Sequence, residues 1–224
     1  MNSNSVKLIE NFVSWQGEGP DSGRTMIILR FKTCNLKCAW CDTAVKMRIS
    51  AEAPYELKDI QETINEKKAG LLITGGEPTV EKHFNDTVSL LNNLVYPVAN
   101  VETNGYKLLE LIEESNPKKN IKFIYSPKIF TENDRHSAIV LTKEIFKYEN
   151  VHVKIVYENS DHLKSYLEYI HNNLPALAWN HRLWFMPEGT NRSDLIRNAG
   201  TVFDACEKYG ASFSSRDHII FGFV

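Results

Sequence analysis

Short, mostly apolar runs alternate along the chain with stretches in which apolar residues recur every three or four positions. That alternation is what repeated β-α units around a parallel sheet produce. Six runs read as strands: Thr25 to Phe31, Leu71 to Thr74, Val98 to Glu102, Ile121 to Ser126, Val151 to Tyr157 and Leu183 to Met186. Helical spacing follows in Leu57, Ile60 and Ile64, in Phe84, Val88 and Leu91, and in Leu163, Leu167 and Ile170. A last helix is predicted to carry Leu195, Ala199, Val202, Phe203 and Cys206 on one face, which makes Cys206 a buried small hydrophobe and no metal ligand.

The polar motifs fall where these runs end. A cysteine loop follows the first, Gly75-Gly76-Glu77-Pro78 the second, Thr103-Asn104-Gly105 the third and Ser126-Pro127-Lys128 the fourth. Glu158-Asn159 and Pro187-Glu188-Gly189 close the fifth and sixth. In barrel-like α/β folds functional groups gather at the carboxyl ends of the strands, so these motifs are expected to share one mouth.

The loop Thr33-Cys34-Asn35-Leu36-Lys37-Cys38-Ala39-Trp40-Cys41-Asp42-Thr43 holds three of the chain's four cysteines. Three thiolates on one small inorganic centre of four irons leave one iron open to an outside ligand. A zinc site or a redox thiol cluster is the alternative, although a structural zinc wants a fourth ligand and no second Cys-x-x-Cys or His-x-His pair follows. Clustered cysteines in an intracellular-looking chain read as metal binding before disulfides.

The composition narrows this further. A chain of 224 residues fits one domain, 1–224. A formal charge of -2 gives no basic excess with which to hold nucleic acid. The N-terminal Met1-Asn2-Ser3-Asn4-Ser5 lacks the blocks of a signal peptide, and no apolar run approaches the roughly 20 residues that span a bilayer. A cytoplasmic location without a membrane or nucleic-acid partner is the expectation.

Gly75-Gly76-Glu77-Pro78 offers close backbone approach and a carboxylate that could accept hydrogen bonds from the ammonium of a methionine moiety beside an open iron. Ser126 and Lys128 offer a hydroxyl and a cation for a cofactor's ribose or carboxylate. The upstream Trp15-Gln16-Gly17-Glu18-Gly19-Pro20 reads by itself as a hairpin turn. Asn116-Pro117-Lys118-Lys119-Asn120 reads as a solvated turn.

Taken together, Gln-Gly-Glu-Gly followed by Arg30, the cysteine loop with Cys-Asp-Thr, Thr-Gly-Gly-Glu-Pro, Glu-Thr-Asn-Gly and Ser-Pro-Lys resemble the 7-carboxy-7-deazaguanine synthase family of radical S-adenosylmethionine enzymes. The resemblance runs by motif from Phe12 to Lys128, and more loosely to the tail at Arg216-Asp217-His218. It implies a partial, modified TIM-like (β/α)6 barrel. It further implies a lyase that converts 6-carboxy-5,6,7,8-tetrahydropterin into 7-carboxy-7-deazaguanine with loss of ammonia, on the way to queuosine and other deazapurines. In that chemistry a reduced cluster gives an electron to the sulfonium, the 5'-deoxyadenosyl radical takes hydrogen from the pterin, and the ring contracts.

Carried over by position, Cys34, Cys38 and Cys41 would hold a 4Fe-4S cluster. Trp40, Cys41, Asp42, Gly76, Glu77, Ser126, Pro127 and Lys128 would hold S-adenosylmethionine, and the Thr43 hydroxyl a magnesium ion. Trp15, Gln16, Gly17, Glu18, Arg30 and Thr74 would contact the substrate, and His218 would reach it from a closing strand. The resemblance also implies a homodimer and an electron donor such as flavodoxin or ferredoxin. Thr33 stands where the family commonly has glycine, and Trp15 where a smaller apolar residue is usual. Two other readings remain: a different small radical enzyme such as a glycyl-radical activase, and a non-enzymatic iron-sulfur or zinc module.

Overall fold

Thr25–Phe31 and Val151–Tyr157 form strands over the spans that the apolar runs predict, and the other four runs form strands within a residue of theirs. They do so in a computed structural model that describes residues 4–38, 41–116, 119–128, 145, 147–157 and 181–223. The strands are β1 (Ser5–Leu8), β2 (Glu10–Trp15), β3 (Thr25–Phe31), β4 (Ala53–Glu56), β5 (Gly70–Gly75), β6 (Ala99–Thr103), β7 (Ile121–Tyr125), β8 (Val151–Tyr157), β9 (Leu183–Pro187) and β10 (Ser212–Phe213). The described helices are α1 (Ala44–Ile49), α2 (Leu57–Lys67), α3 (Glu81–Asn93), α4 (Leu108–Glu114), α5 (Arg192–Tyr209) and α6 (Asp217–Phe221). The chain divides into two compact units, one of Met1–Ser14 with Arg24–Phe123, the other of Trp15–Gly23 with Ile124–Val224.

In the first unit the strand order is β2-β3-β5-β6. Strands β3, β5 and β6 run parallel, with Met26↔Gly70 through Phe31↔Gly75 and Leu71↔Ala99 through Ile73↔Val101 in register. Met26, Ile27, Leu29 and Phe31 are fully buried, so β3 is covered on both faces, which is why its run is apolar almost without interruption. From α2, Ile60 and Ile64 reach this core one turn apart; α3 adds Phe84, Leu90 and Leu91.

The segment from the cysteines to Pro54 reads in sequence as one long loop, yet it contains α1 and β4. Strand β4 pairs antiparallel with β1, from Ser5↔Glu56 to Leu8↔Ala53.

In the second unit β8 and β9 are parallel from Val153↔Leu183 to Tyr157↔Pro187, and β10 continues the order beside β9. Asn191 caps α5 by accepting the Asp194 N–H at 3.0 Å. Gly210 ends the helix in the left-handed region at φ 66°. The buried face of α5 is Leu195, Val202, Ala205 and Cys206. Phe203 is 53% exposed, contrary to the spacing, because at 100° per residue it sits about 80° round from the Leu195–Val202–Cys206 stripe. His218 lies in α6, where the sequence suggested a closing strand. The expected helix at Leu163, Leu167 and Ile170 and the motif Glu158-Asn159 lie outside the described residues. Among the described residues no helix is long and apolar enough to cross a membrane.

Candidate active site

Two backbone hydrogen bonds pin the turn after β5 to the entrance of the cysteine loop: Gly76 N–H to the Phe31 carbonyl at 2.9 Å and Glu77 N–H to the Thr33 carbonyl at 2.8 Å. Only a residue without Cβ fits there. A Cβ on Gly76 would stand 2.1 Å from the Thr33 carbonyl oxygen, and that oxygen is backbone and cannot swing aside. Gly76→Ala is therefore expected to cost about 1–3 kcal/mol by overpacking and to displace the loop. Equilibrium denaturation, with iron uptake by the refolded variant, checks both effects.

Thr33 is held from its other side by His83, a residue that the sequence did not single out. The Thr33 N–H donates to His83 Nε2 at 3.1 Å, and the imidazole stacks on Phe31 with centroids 4.5 Å apart. Burial, helped by the charge of Lys82, pushes the His83 pKa down to about 4. Its Nε2 therefore stays an acceptor at neutral pH.

Cys34, Cys38 and Cys41 are all partly exposed on the loop. The Cys41 N–H turns back to the Cys38 carbonyl at 3.3 Å, and Cys41 Sγ lies 3.4 Å from Thr43 Oγ1. Cys34 Sγ accepts the Leu36 N–H at 3.4 Å and the Asn104 carboxamide N–H at 3.9 Å. Burial, with the Leu36 bond opposing it and the Glu77, Cys38 and Cys41 charges adding to it, pushes the Cys34 thiol up to about 11. Such a thiol gives up its proton when a metal takes its place. Among the described residues no three His, Cys, Asp or Glu side chains converge as the ligands of one ion do. Three soft sulfurs along one loop, with N–H donors aimed at one of them, suit a larger iron-sulfur centre. Asp42 is exposed and Thr43 half-buried, while Trp40 lies outside the described residues.

Glu77 is 1% exposed. Its Oε1 accepts the Thr79 N–H at 3.1 Å, the Thr79 hydroxyl at 2.6 Å and the Thr103 hydroxyl at 2.6 Å; Oε2 accepts the Asn104 N–H at 2.6 Å. Burial outweighs these bonds and raises its pKa. The sequence suggested a carboxylate that receives a ligand's ammonium. Its observed work is to tie the end of β5 to the end of β6.

Arg30 and Thr74, both named as substrate residues, are register partners on β3 and β5. Arg30 Nε donates to Glu10 Oε2 at 2.6 Å, and Lys46 Nζ lies 2.7 Å from Glu10 Oε1. Burial raises the Glu10 pKa, but the bonds from Lys46 and Arg30 prevail and hold it below its ordinary value. Glu10, which the sequence did not flag, thus fixes the arginine.

The remaining substrate candidates belong to the second unit. Gln16 is 3% exposed and its Oε1 accepts the Glu18 N–H at 3.2 Å. Gly17 lies against His218: a Cβ there would stand 2.1 Å from the imidazole Nδ1, and the Gly17 carbonyl accepts the Asp217 N–H at 3.1 Å. Glu18 accepts from Lys154 Nζ at 2.5 Å and from Arg216 Nε at 3.0 Å. Desolvation would raise its pKa, yet the charges of Lys154, Arg216 and His218 hold it far below the usual carboxylate range. Trp15 is half exposed and stacks on Phe223 at 5.2 Å. Lys128 Nζ donates to Ser126 Oγ at 2.5 Å, so these two cofactor candidates meet. Lys154 is not part of any motif, although a lysine inside the apolar run Val153-Lys154-Ile155-Val156 signals a buried cation in need of an anion.

The model of the Radical SAM superfamily matches residues 28–174. A protein of Hyperthermus butylicus named 7-carboxy-7-deazaguanine synthase is 27% identical over 225 residues, which cover 96% of this chain and 92% of that one. One of the same name from Aquifex aeolicus is 29% identical over 179 residues, covering 73% of this chain and 81% of the relative. The crystal structure of QueE from Escherichia coli superimposes with a TM-score of 0.66 over 94% of this chain and 93% of that chain, at 19% identity. The fold is accordingly the α/β fold of that enzyme, with a mostly parallel sheet.

Proposed function

This chain belongs to the Radical SAM superfamily, and we propose that within it the chain is a 7-carboxy-7-deazaguanine synthase, the name carried by a relative that it matches over 92% of that relative's length. Its substrate would be 6-carboxy-5,6,7,8-tetrahydropterin, and its reaction a radical ring contraction with loss of ammonia. The cofactors of such an enzyme are a 4Fe-4S cluster, S-adenosylmethionine and magnesium. The observation that carries the reading is the clamp of the Gly-Gly-Glu-Pro turn on the cysteine loop through the Glu77–Thr33 bond. It joins the two motifs that a thiolate-held cluster and its methionine-bearing ligand need together.

Cys34, Cys38 and Cys41 would hold the cluster, and the Thr43 hydroxyl would bind magnesium. Gly76, with the backbone at Cys41 and Asp42, would hold S-adenosylmethionine, and Trp40, Ser126, Pro127 and Lys128 are assigned to it by motif. When bound, the cluster and S-adenosylmethionine would supply the radical chemistry, while the protein would position the reactants and exclude water. Arg30 would meet the substrate carboxylate: its bond to Glu10 engages Nε, and a guanidinium has further donors for a second partner. Thr74, beside it in register, would add a hydroxyl. Gln16, Gly17 and His218 would meet the pterin. Glu18 would act through Lys154 and Arg216, which already occupy its carboxylate. We further take the enzyme to be a cytoplasmic homodimer reduced by a flavodoxin or ferredoxin.

The test is an anaerobic incubation of iron-reconstituted protein with S-adenosylmethionine, reductant, magnesium and the carboxytetrahydropterin. Formation of 7-carboxy-7-deazaguanine that ceases when magnesium is removed supports the reading. Cleavage of S-adenosylmethionine without that product would move the substrate elsewhere.

A further inference from the structure

We propose that Asn104 is a positioning residue that raises the reduction potential of the cluster by donating a side-chain N–H to the Cys34 sulfur. The proposal rests on the cluster reading above. The carboxamide is oriented by its own bonds: Oδ1 accepts the Tyr106 N–H at 3.1 Å, which turns the nitrogen end toward the cysteine loop. From there Nδ2 donates to Asn35 Oδ1 at 2.9 Å and reaches Cys34 Sγ at 3.9 Å. An amide nitrogen has two hydrogens, one for each.

The residue's main chain is fixed as firmly. Its backbone N–H ends on the buried Glu77 carboxylate at 2.6 Å, so Glu77 sets where the side chain starts. The Leu36 N–H reaches the same sulfur at 3.4 Å, which makes Asn104 the second described donor to Cys34. An N–H aimed at a thiolate withdraws electron density from it. Because the reduced cluster is the more negative form, that donation stabilises reduction.

Glu77 and Asn104 thereby acquire a joint role. The buried carboxylate that holds the turn after β5 also aims a donor at the first cysteine, and cluster tuning is built into the same strand ends as cluster placement.

The experiment compares reconstituted wild type with Asn104→Ala and Asn104→Asp. The second variant keeps the size of the side chain and its acceptor for Tyr106, and serves should the first disturb the loop. Iron and sulfide content is measured, then the cluster midpoint potential by EPR-monitored titration without S-adenosylmethionine. Both variants are expected to retain the cluster but to reduce about tenfold less favourably, a shift of about 59 mV to the negative for one electron. Unchanged midpoints in cluster-bearing variants would overturn the proposal. So would loss of the cluster from both variants, since that marks a structural need and not tuning. A wild type that assembles no iron-sulfur centre would instead refute the underlying cluster assignment.

Discussion

Glu18→Ala is expected to lower stability by about 3–5 kcal/mol, because it strands two buried cations at once. Lys154 and Arg216 side chains are 5% and 10% exposed, and Glu18 bonds both. Their mutual repulsion and desolvation, uncompensated, set the size of the loss. The effect carries a pH signature. Since the folded state holds the Glu18 pKa far below its ordinary value of 4.5, its contribution is fully present above about pH 4.5 and disappears as the pH falls through the folded value. Urea denaturation of wild type and variant near neutrality and in acid checks this. A difference under about 1 kcal/mol at neutral pH would place the ion pairs among weak surface pairs and contradict the account. Activity should fall as well, because the Glu18 N–H is bound by Gln16 and the Gly17 carbonyl by Asp217, so movement at Glu18 shifts the segment assigned to the pterin.

For Glu77→Ala the expected loss is about 2–4 kcal/mol, together with a fall in cluster content. The Thr79 and Asn104 N–H groups and the Thr103 hydroxyl lose their buried acceptor. The pH dependence runs opposite to that of Glu18. Burial raises the Glu77 pKa, so its favourable contribution is fully present below the ordinary value of 4.5 and is lost as the pH rises through the folded value. The advantage of wild type over the variant should be larger in mild acid than near neutrality. An advantage that grows with pH would mean that the ionised carboxylate is the better-held form.

What the sequence reveals here follows from where each signal is stored. The six main strands are legible because burial on both faces writes them as apolar runs, and the motifs at their ends are legible by position. Strands β1 and β4 are four residues each, too short to show a period, and pair with one another in a two-stranded sheet. The tail departs from the closing strand that the family resemblance implies. The Ile220 N–H instead closes a helical turn on the Arg216 carbonyl at 3.0 Å, and a short apolar run alone does not decide between the two.

The candidate site divides in the same way. Cys34, Cys38, Cys41 and Gly76 can be named from local spacing. The partners of Glu18 stand 136 and 198 residues away, and His83 is 50 residues from the Thr33 it holds. Glu77 is visible as a motif residue, but not the fact that its carboxylate binds the protein's own threonines and Asn104.

The most direct test of the central claim, a three-cysteine cluster with one iron open to S-adenosylmethionine, is EPR of the reduced, reconstituted chain with and without that ligand. The account predicts about four irons per chain, a reduced-cluster signal that changes when S-adenosylmethionine is added, and loss of the cluster signal in Cys38→Ala. A chain that binds zinc in place of iron, or a cluster whose spectrum ignores S-adenosylmethionine, would contradict it.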